Sequence, residues 1–273
     1  MSLALCILAS GSSGNCSLLR TPDGVVLIDA GVGPHTFGRV TAGTGVSMDD
    51  VKAVVLTHLD SDHFRRSWVN TLVRRQITVH CHADHAADCD VAADLGCFLR
   101  PFSGAFQPID DVTFYPLAFA HDSTGSYGYV IDGHGGRIGF ATDLGHVPPA
   151  LIEHFDDLDV LAIESNYDPD MQRNSGRPFF LQRRITGGRG HLSNEQALAA
   201  VRAIFDRHKK RTLPKHVVLL HRSNDCNCPD LVRRLYERDA RIGPRLVLAE
   251  RHEPTAWLCA SVGEIGRQLQ FGF

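Results

Sequence analysis

The chain has 273 residues, of which 43% are hydrophobic and 22% charged, as is usual for a globular protein that can bury a sizeable core. Its formal net charge is −3, which excludes the strongly basic overall field with which some proteins attract nucleic acid. Any binding of nucleic acid must therefore use a local patch of the surface.

The first residues lack the basic region of a signal peptide, and no stretch is apolar enough to span a bilayer. We therefore expect a cytoplasmic protein without membrane contact. The eight cysteines are scattered and form no Cys-x-x-Cys pair, so we expect reduced thiols in that compartment. The oligomeric state does not follow from the sequence.

Short apolar stretches in the first half of the chain predict strands at residues 3–9, 17–20, 24–29, 51–56 and 77–81, with helices at 64–76 and 83–95. Between the first two strands lies a loop, Gly11-Ser-Ser-Gly-Asn15, whose glycines permit close approach of the backbone to a ligand. A plain hairpin turn explains the same residues equally well.

The second half predicts strands at 112–120, 127–131, 137–141, 160–163, 215–220 and 244–249, with helices at 149–156, 195–208 and 229–239. Residues 167–190 are polar and rich in glycine and arginine, which indicates a long loop kept for binding. Ser193 and Gln196 form a capping-box pattern at the start of the helix that follows. His191, Ser193 and Asn194 therefore lie at a helix N-terminus, which is a natural anion site.

The most informative stretch, Leu-Thr-His-Leu-Asp-Ser-Asp-His at 56–63, follows the strand at 51–56. Four polar side chains at the end of a buried strand are costly unless something satisfies them, and a metal ion takes imidazole and carboxylate as ligands. Alternation places His58, Asp60 and Asp62 on one side of an extended loop. His63 then points elsewhere, which fits two adjacent ions. A polar loop with a helix-capping Asp and incidental histidines is the alternative.

Several apolar strands end in a histidine or a carboxylate, which suggests that one edge of the sheets carries a site. The residues are Asp29, His58, His121, Asp143, Glu164 and His221. Asp29 either orients a metal-bound histidine from behind or caps the next turn. His80, His82 and His85 resemble a further metal cluster, but His85 lies beyond the strand, so we favour a strand-to-helix junction with polar side chains.

The order of these residues resembles the metallo-β-lactamase superfamily, whose signature is a strand-end Asp, then H-x-H-x-D-H, a His, an Asp and a last His. Asp29, the cluster from His58 to His63, His121, Asp143 and His221 match it in order. Shorter motifs are similar to its YycJ/WalJ-type branch: Gly11-Ser-Ser-Gly-Asn-Cys16, Thr142-Asp-Leu-Gly145, Glu164-Ser-Asn166, Gly190-His-Leu-Ser-Asn194 and Leu220-His-Arg-Ser-Asn224. One departure is that Asp60 stands where the family has its second histidine. The gap from Asp143 to His221 is also too short for the inserted domain of the RNA-processing branch.

The resemblance implies an α+β fold, a four-layer αββα sandwich, as one domain over residues 1–273. It also implies a phosphodiesterase or DNA exonuclease with two divalent ions (Zn, Mn or Fe) that bridge a hydroxide. By the same resemblance, His58, Asp60 and His121 hold one ion, Asp62, His63 and His221 hold the other, and Asp143 bridges them. Asp62 and His191 are then the catalytic candidates, Asp62 as the group that orients the hydroxide.

The expected substrate is nucleic acid or a small phosphodiester. Candidate substrate contacts are Asn15, Asn166, Ser193, Asn194 and Asn224. Arg65 and Arg66 either reach phosphates or form a solvated helix face, and the arginine-rich loop at 173–189 favours anionic substrates.

Two alternatives remain. The same scaffold supports hydrolysis of a lactone or thioester, because a fold does not determine its substrate. A non-catalytic metal-dependent sensor is the other, since a changed ligand at Asp60 could empty one site. If Asp60 is a ligand, its carboxylate shifts the metal preference toward Mn²⁺; in the alternative it turns away.

Overall fold

The computed structural model describes residues 3–86, 91–209 and 212–260. Over these residues two seven-stranded sheets pack face to face, and helices cover their outer faces. The single-domain αββα sandwich implied by the resemblance is therefore confirmed.

The strands are β1 (Ala4–Ala9), β2 (Cys16–Thr21), β3 (Gly24–Ile28), β4 (Val51–Val55), β5 (Thr78–His82), β6 (Leu99–Phe102), β7 (Phe106–Ile109), β8 (Val112–Phe119), β9 (Ser126–Gly133), β10 (Gly136–Ala141), β11 (Val160–Glu164), β12 (His216–Leu220), β13 (Leu246–Leu248) and β14 (Leu258–Cys259). One sheet has the order β14-β1-β2-β3-β4-β5-β6 and the other the order β13-β12-β11-β10-β9-β8-β7.

The α-helices are α1 (Pro34–Val40), α2 (Val69–Arg75), α3 (Ala83–Ala86), α4 (Ala92–Leu95), α5 (Pro149–His154), α6 (Pro169–Arg173), α7 (Phe179–Thr186), α8 (Asn194–Arg207) and α9 (Pro229–Tyr236). Short 3₁₀ turns lie at Arg66–Trp68, Gly96–Phe98 and Gly243–Arg245.

The core is divided by the two faces of each sheet. In β1, Leu5 and Ile7 belong to the cluster between the sheets, whereas Cys6 and Leu8 belong to the cluster under the helices. This alternation follows from the two-residue period of a strand. Because both faces are covered, the strand is apolar throughout and every residue of it is buried.

Strand direction brings the polar strand ends together. β3 and β4 are parallel, and so are β10, β11 and β12. β8 runs in the same direction as β10, because β9 between them is antiparallel to both. The carboxyl ends of these strands therefore lie at one end of each sheet, where a site can form from several loops.

The structure corrects several predicted elements. The segment 64–76 is a 3₁₀ turn followed by α2, and the helix predicted at 83–95 contains α3 and α4, with residues 87–90 outside the described part. The strand predicted at 244–249 begins only at Leu246, as β13. The predicted loop 167–190 contains α6 and α7. α7 turns only half-buried Leu181 and buried Ile185 toward the protein, too few apolar positions to give a helical period.

Cysteines 6, 16, 81, 97, 226, 228 and 259 are free, in agreement with the expected thiols, and Cys89 lies outside the described residues. No helix in the described ranges has both the length and the hydropathy needed to cross a bilayer.

Candidate metal centre

Three of the strand-end residues adopt left-handed backbone conformations: Asp29, Asp143 and His221 have φ angles of 62°, 54° and 53°. Such φ values are uncommon outside glycine, and they cluster at functional sites where the surrounding structure holds them. The chain turns sharply as each strand ends. His221 is held there by its backbone N–H, which donates to Ser10 Oγ at 2.7 Å.

Asp29 lies against His63. Its Oδ2 is 2.7 Å from His63 Nδ1, and its Oδ1 accepts a hydrogen bond from the Thr57 backbone N–H. Thr57, to which the sequence assigned no role, also donates its hydroxyl to Asp29. All three side chains are nearly or fully buried. Asp29 therefore contacts a histidine, which was one of the two roles expected for it. Because Asp29 engages Nδ1, the other ring nitrogen of His63, Nε2, points toward Asp143.

The other cluster and strand-end histidines also have their Nδ1 atoms engaged by the protein. Nδ1 of His58 is 3.0 Å from Thr57 Oγ1, and that of His121 is 3.0 Å from the Gly190 carbonyl oxygen. Nδ1 of His221 lies 3.1 Å from Asn166 Nδ2. Partners of this kind set the ring orientation of metal-binding histidines, so Nε2 is the nitrogen left for an ion.

Two donor groups converge on Asp143. One consists of His58, Asp60 and His121 and the other of Asp62, His63 and His221, with the donor atoms of each group within 4.8 Å of one another. Oδ2 of Asp143 is 2.9 Å from His63 Nε2, and its Oδ1 is 3.5 Å from His221 Nε2 and 4.0 Å from His121 Nε2. The carboxylate thus reaches both groups.

The electrostatics of these residues fit a cation. Asp143 is 1% exposed, and the partners of its ion pairs in the described residues are imidazoles. Burial opposes its ionisation, but the charges of His221 and His63 outweigh burial and hold the pKa of Asp143 well below its usual range. Burial likewise works against a charged His63, yet Asp29 and Asp143 raise the pKa of His63 well above its usual range. An ionised carboxylate among imidazoles is a donor set that suits a divalent ion.

Asp60 lies at the rim, with a side chain 53% exposed and Oδ2 3.7 Å from His58 Nε2. Partial burial and the neighbouring Asp62 raise the pKa of Asp60, although His121 acts in the opposite direction. Its carboxylate belongs to one of the donor groups, so the position permits a metal bond. A donor set of imidazole and carboxylate suits Zn, Mn and Fe.

Glu164 is a site residue to which the sequence gave a position but no role. It is fully buried, and its oxygens accept hydrogen bonds from the backbone N–H groups of Leu144 and Leu192. Its Oε1 is also 2.7 Å from Nδ1 of His191. Glu164 lies within 4.8 Å of Asp143 donors as well, but because its oxygens are occupied we assign it to holding His191 rather than to an ion.

These side chains form the floor of a cavity of about 480 Å³. Among the predicted site residues, His58, Asp60, Asp62, His121, Asp143, Asn166, His191 and His221 line it. Arg177, Leu181, Arg184 and Ile185, from α7 and the turn before it, form a wall. The loop at 173–189 therefore does supply basic side chains to the cavity.

Asn15 and Asn224 do not line the cavity. Asn15 is buried; its Oδ1 accepts from the Gly11 N–H, and its Nδ2 is 2.9 Å from His63 Nε2. The loop at 11–15 is thus a hairpin connection that reaches the site from behind. Asn224 is exposed, and it lies outside the residues that surround the cavity. Contact of these two side chains with substrate stays a prediction.

The side chains of Ser193 and Asn194 bond within the protein, and their contact with substrate stays a prediction. The Ser193 hydroxyl accepts from the Gln196 N–H, which completes the predicted capping box. Asn194 is 1% exposed, bonds Ser165 and Asn227 through its side chain, and donates its backbone N–H to Tyr167. The start of α8 therefore directs these groups into the protein, and neither residue lines the cavity.

Arg65 and Arg66 do not reach the cavity either. Arg65 donates to the carbonyl oxygens of Gly31 and Ser13, which ties two loops together. Arg66 pairs with Asp94 on the surface at 2.6 Å. Contact of Arg65 or Arg66 with phosphates stays a prediction.

His80 and His82 lie on one face of β5, followed directly by α3, so the favoured strand-to-helix junction is confirmed. The ring of His80 stacks on Phe106 and that of His82 on Tyr127. Within the described residues, these histidines with His85 form no metal-type donor group.

Comparisons with known proteins agree with this geometry. The family model of the beta-lactamase superfamily domain matches residues 25–221. The chain is 26% identical over 238 residues to exodeoxyribonuclease YycJ of Bacillus anthracis, covering 85% of this chain and 87% of the relative. It is 27% identical over 249 residues to exodeoxyribonuclease WalJ of Streptococcus pneumoniae, covering 87% and 90%. The metallo-beta-lactamase fold protein YhfI from Bacillus subtilis superposes with a TM-score of 0.67 at 15% identity, covering 92% of this chain and 99% of YhfI.

Proposed function

Because this chain belongs to the metallo-β-lactamase superfamily, we propose that it is a metal-dependent phosphodiesterase that acts on DNA. The observation that carries the proposal is the convergence of two imidazole and carboxylate groups on buried Asp143, at the floor of a cavity with arginines in its wall. The names of the two exodeoxyribonuclease relatives support the choice of DNA.

In this proposal two divalent ions are held by the donor groups described above. His58, Asp60 and His121 would hold one ion, Asp62, His63 and His221 would hold the other, and Asp143 would serve both. Divalent ions in such a site lower the pKa of water and stabilise charge on the phosphoryl oxygens.

The protein itself orients the reactants. Asp62 Oδ2 is 3.5 Å from His221 Nε2 and 3.8 Å from His63 Nε2, and its side chain is 25% exposed. We propose that Asp62 orients the attacking water by accepting its hydrogen bond. Asp62 would then set the path of attack. Its carboxylate stays ionised because, although burial raises the pKa of Asp62, the hydrogen bond from His221 and the charges of His63 and His221 lower it further.

His191 is proposed to give a proton to the leaving oxygen. Its Nδ1 is held by Glu164 at 2.7 Å, and its side chain is 20% exposed at the cavity surface. A positioned imidazole is a common general acid in hydrolysis. Glu164 acts through His191 and is a positioning residue.

Arg177 and Arg184 are proposed to contact the phosphates that flank the scissile bond, since guanidinium groups match phosphate oxygens. Both line the cavity. Arg177 pairs with Asp225 and Arg184 with Asp122. These exposed pairs are weak in water and can open when a phosphate arrives.

The test combines metal analysis with turnover. Purified protein loaded with Mn²⁺ or Zn²⁺ is expected to hold two ions per chain and to hydrolyse bis-p-nitrophenyl phosphate and single-stranded DNA. Asp143→Ala, prepared identically, controls for a contaminating nuclease. Turnover of a lactone or thioester with both phosphodiesters left intact would contradict the proposal, and one ion or none without turnover would favour a sensor.

A further inference from the structure

α7 exposes two adjacent phenylalanines beside the cavity. Phe179 and Phe180 are each 74% exposed, the highest values for large hydrophobic side chains in the described ranges. Burying a phenylalanine ring stabilises a protein, so two exposed rings side by side forgo a large stabilisation. An exposed apolar pair of this kind is informative about binding in a way that a single exposed leucine is not.

The helix itself is firmly seated, which makes the exposure a property of its surface. Leu181 and Ile185 pack against the small cluster around Tyr167 and Cys226. Gln182 donates to the Arg177 carbonyl oxygen at 2.9 Å. α7 therefore turns one face to the protein and presents the phenylalanines on the other.

Basic side chains are interleaved with the two rings. The guanidinium of Arg183 lies 5.8 Å from the centre of the Phe179 ring, and Arg184 lies one helical turn after Phe180 and reaches the cavity wall. Arg183, Arg184 and Arg189 also line an open hollow of about 830 Å³ beside the cavity. The hollow and the cavity share Arg184 and Asp122.

We infer that Phe179 and Phe180 are a stacking platform for the bases of single-stranded DNA, and that the arginine-lined hollow carries its phosphates toward the cavity. The inference rests on the proposed function and specifies its substrate form. Proteins that bind single strands combine a positive groove with aromatic rings on which unpaired bases stack. A duplex keeps its bases stacked on one another, so the two rings select a single-stranded end.

The charge pattern favours DNA over a protein partner. Arg183 and Arg184 share α7 with the two rings and line the hollow together with Arg189. The overall charge of the chain is −3, so the basic character is local to this surface. A second copy of the chain would bring the same arginines against themselves, and like charges repel.

The experiment measures binding of fluorescein-labelled single-stranded phosphorothioate DNA to the full-length, Mn²⁺-loaded protein, because phosphorothioate linkages slow cleavage. Stacking contributes about 1–3 kcal/mol per base, or about 5- to 150-fold in Kd. Phe179→Ser and Phe180→Ser are each expected to weaken binding within that range and to leave turnover of bis-p-nitrophenyl phosphate unchanged. Tyr115→Ser, at an exposed aromatic residue outside the residues lining the cavity, is the matched control and is expected to bind as the parent does.

An abasic oligonucleotide of equal length separates stacking from other effects. It retains phosphates but offers no base, so the phenylalanine substitutions should not change its Kd. The inference is overturned by equal losses on normal and abasic DNA, by no loss on either, or by a parent that binds no single strand. A parent dimer that the substitutions dissociate would instead identify a subunit interface. Ring-dependent binding by a chain that hydrolyses no phosphodiester would contradict the proposed function alone.

Discussion

Oε1 of Glu164 lies 2.7 Å from Nδ1 of His191, so a fully buried carboxylate holds the ring of a histidine that faces the cavity. The hydrogen bonds from the Leu144 and Leu192 backbones keep that carboxylate in place. The pair joins the end of β11 to the loop before α8, two segments that are distant in sequence.

His191→Ala tests the proposed proton transfer. If His191 protonates the leaving oxygen, loss of its imidazole should slow DNA cleavage about 10²- to 10⁴-fold. Cleavage of bis-p-nitrophenyl phosphate should slow much less, because nitrophenolate leaves as a stable anion. Rates on both substrates and metal content are measured together. Equal losses on both, accompanied by a lost ion, would make His191 a metal ligand instead.

Glu164→Gln tests the positioning role, since glutamine keeps the volume but removes the charge. We expect a smaller loss of DNA cleavage than in His191→Ala, with the same dependence on the leaving group. The double variant should be no slower than His191→Ala alone, because residues that act as a unit are not additive. Losses that simply multiply in the double variant would show that the two side chains act independently.

Asp143→Ala should abolish activity and leave the fold largely intact. The carboxylate lies between both donor groups, and its removal leaves two cations to repel each other without a bridging charge. We expect loss of bound metal by elemental analysis with far-UV circular dichroism like that of the parent. Retention of both ions at a near-normal rate would contradict the bridging role.

Asp60→His tests whether Asp60 is a ligand. A carboxylate at this position favours Mn²⁺ more than an imidazole does, so the parent should be more active with Mn²⁺ than with Zn²⁺. The substitution should raise Zn²⁺-supported activity relative to Mn²⁺. Metal content and preference identical to those of the parent would mean that Asp60 turns away from the ion.

The metal-free chain should lose stability as the pH rises from about 6.5 to about 10. Burial opposes a charged His221, but Asp143 and the hydrogen bonds of Asp62 and Glu164 raise the pKa of His221 from 6.5 to about 10. A group whose pKa is higher in the folded chain than in the unfolded chain stabilises the fold fully at pH values below its pKa in the unfolded chain. This stabilisation disappears as the pH rises to its pKa in the folded chain. His63 shifts in the same direction.

His58 does not offset this loss. Burial, together with the charge of His63, lowers the pKa of His58 below 6.5. The titration of His58 therefore changes the stability only at pH values below 6.5. Thermal unfolding in EDTA across the pH range measures the trend. In Asp143→Asn the trend should be flatter, because the main charge that raises the His221 pKa is gone. A parent whose melting temperature holds constant or increases up to pH 10 would contradict the assignment.

The sequence supplied the sandwich through its resemblance to the metallo-β-lactamase superfamily, and its strand ends supplied the residues of the candidate metal centre. Asp29, the cluster from His58 to His63, His121, Asp143 and His221 directly follow or closely follow strands, and the structure brings them into contact. The position of these residues depends on the local sequence alone, because a residue that directly follows a strand lies at the carboxyl end of that strand and so at one edge of the sheet. The ends of the strands can be predicted because the strands are apolar and rich in β-branched residues.

Only the tertiary structure decided which loop side chains face the cavity. Ser193 and Asn194 follow a predictable helix start, but packing of α8 against Tyr167 and Asn227 turns them inward. Arg65 and Arg184 are both arginines, and nothing in the sequence distinguishes their roles. Arg65 bonds two loops to each other, whereas Arg184 lines the cavity. The direction of a side chain after a loop depends on contacts far away in the chain.

The same reason explains Glu164 and α7. The hydrogen bond between Glu164 and His191 spans 27 residues, and no local pattern announces it. α7 is held by Leu181 and Ile185, which pack against residues from other segments. Its two phenylalanines are hydrophobic residues that a sequence pattern predicts to be buried, yet both are exposed. They are exposed because α7 turns Leu181 and Ile185 toward the small cluster beneath it, which leaves Phe179 and Phe180 on the other face.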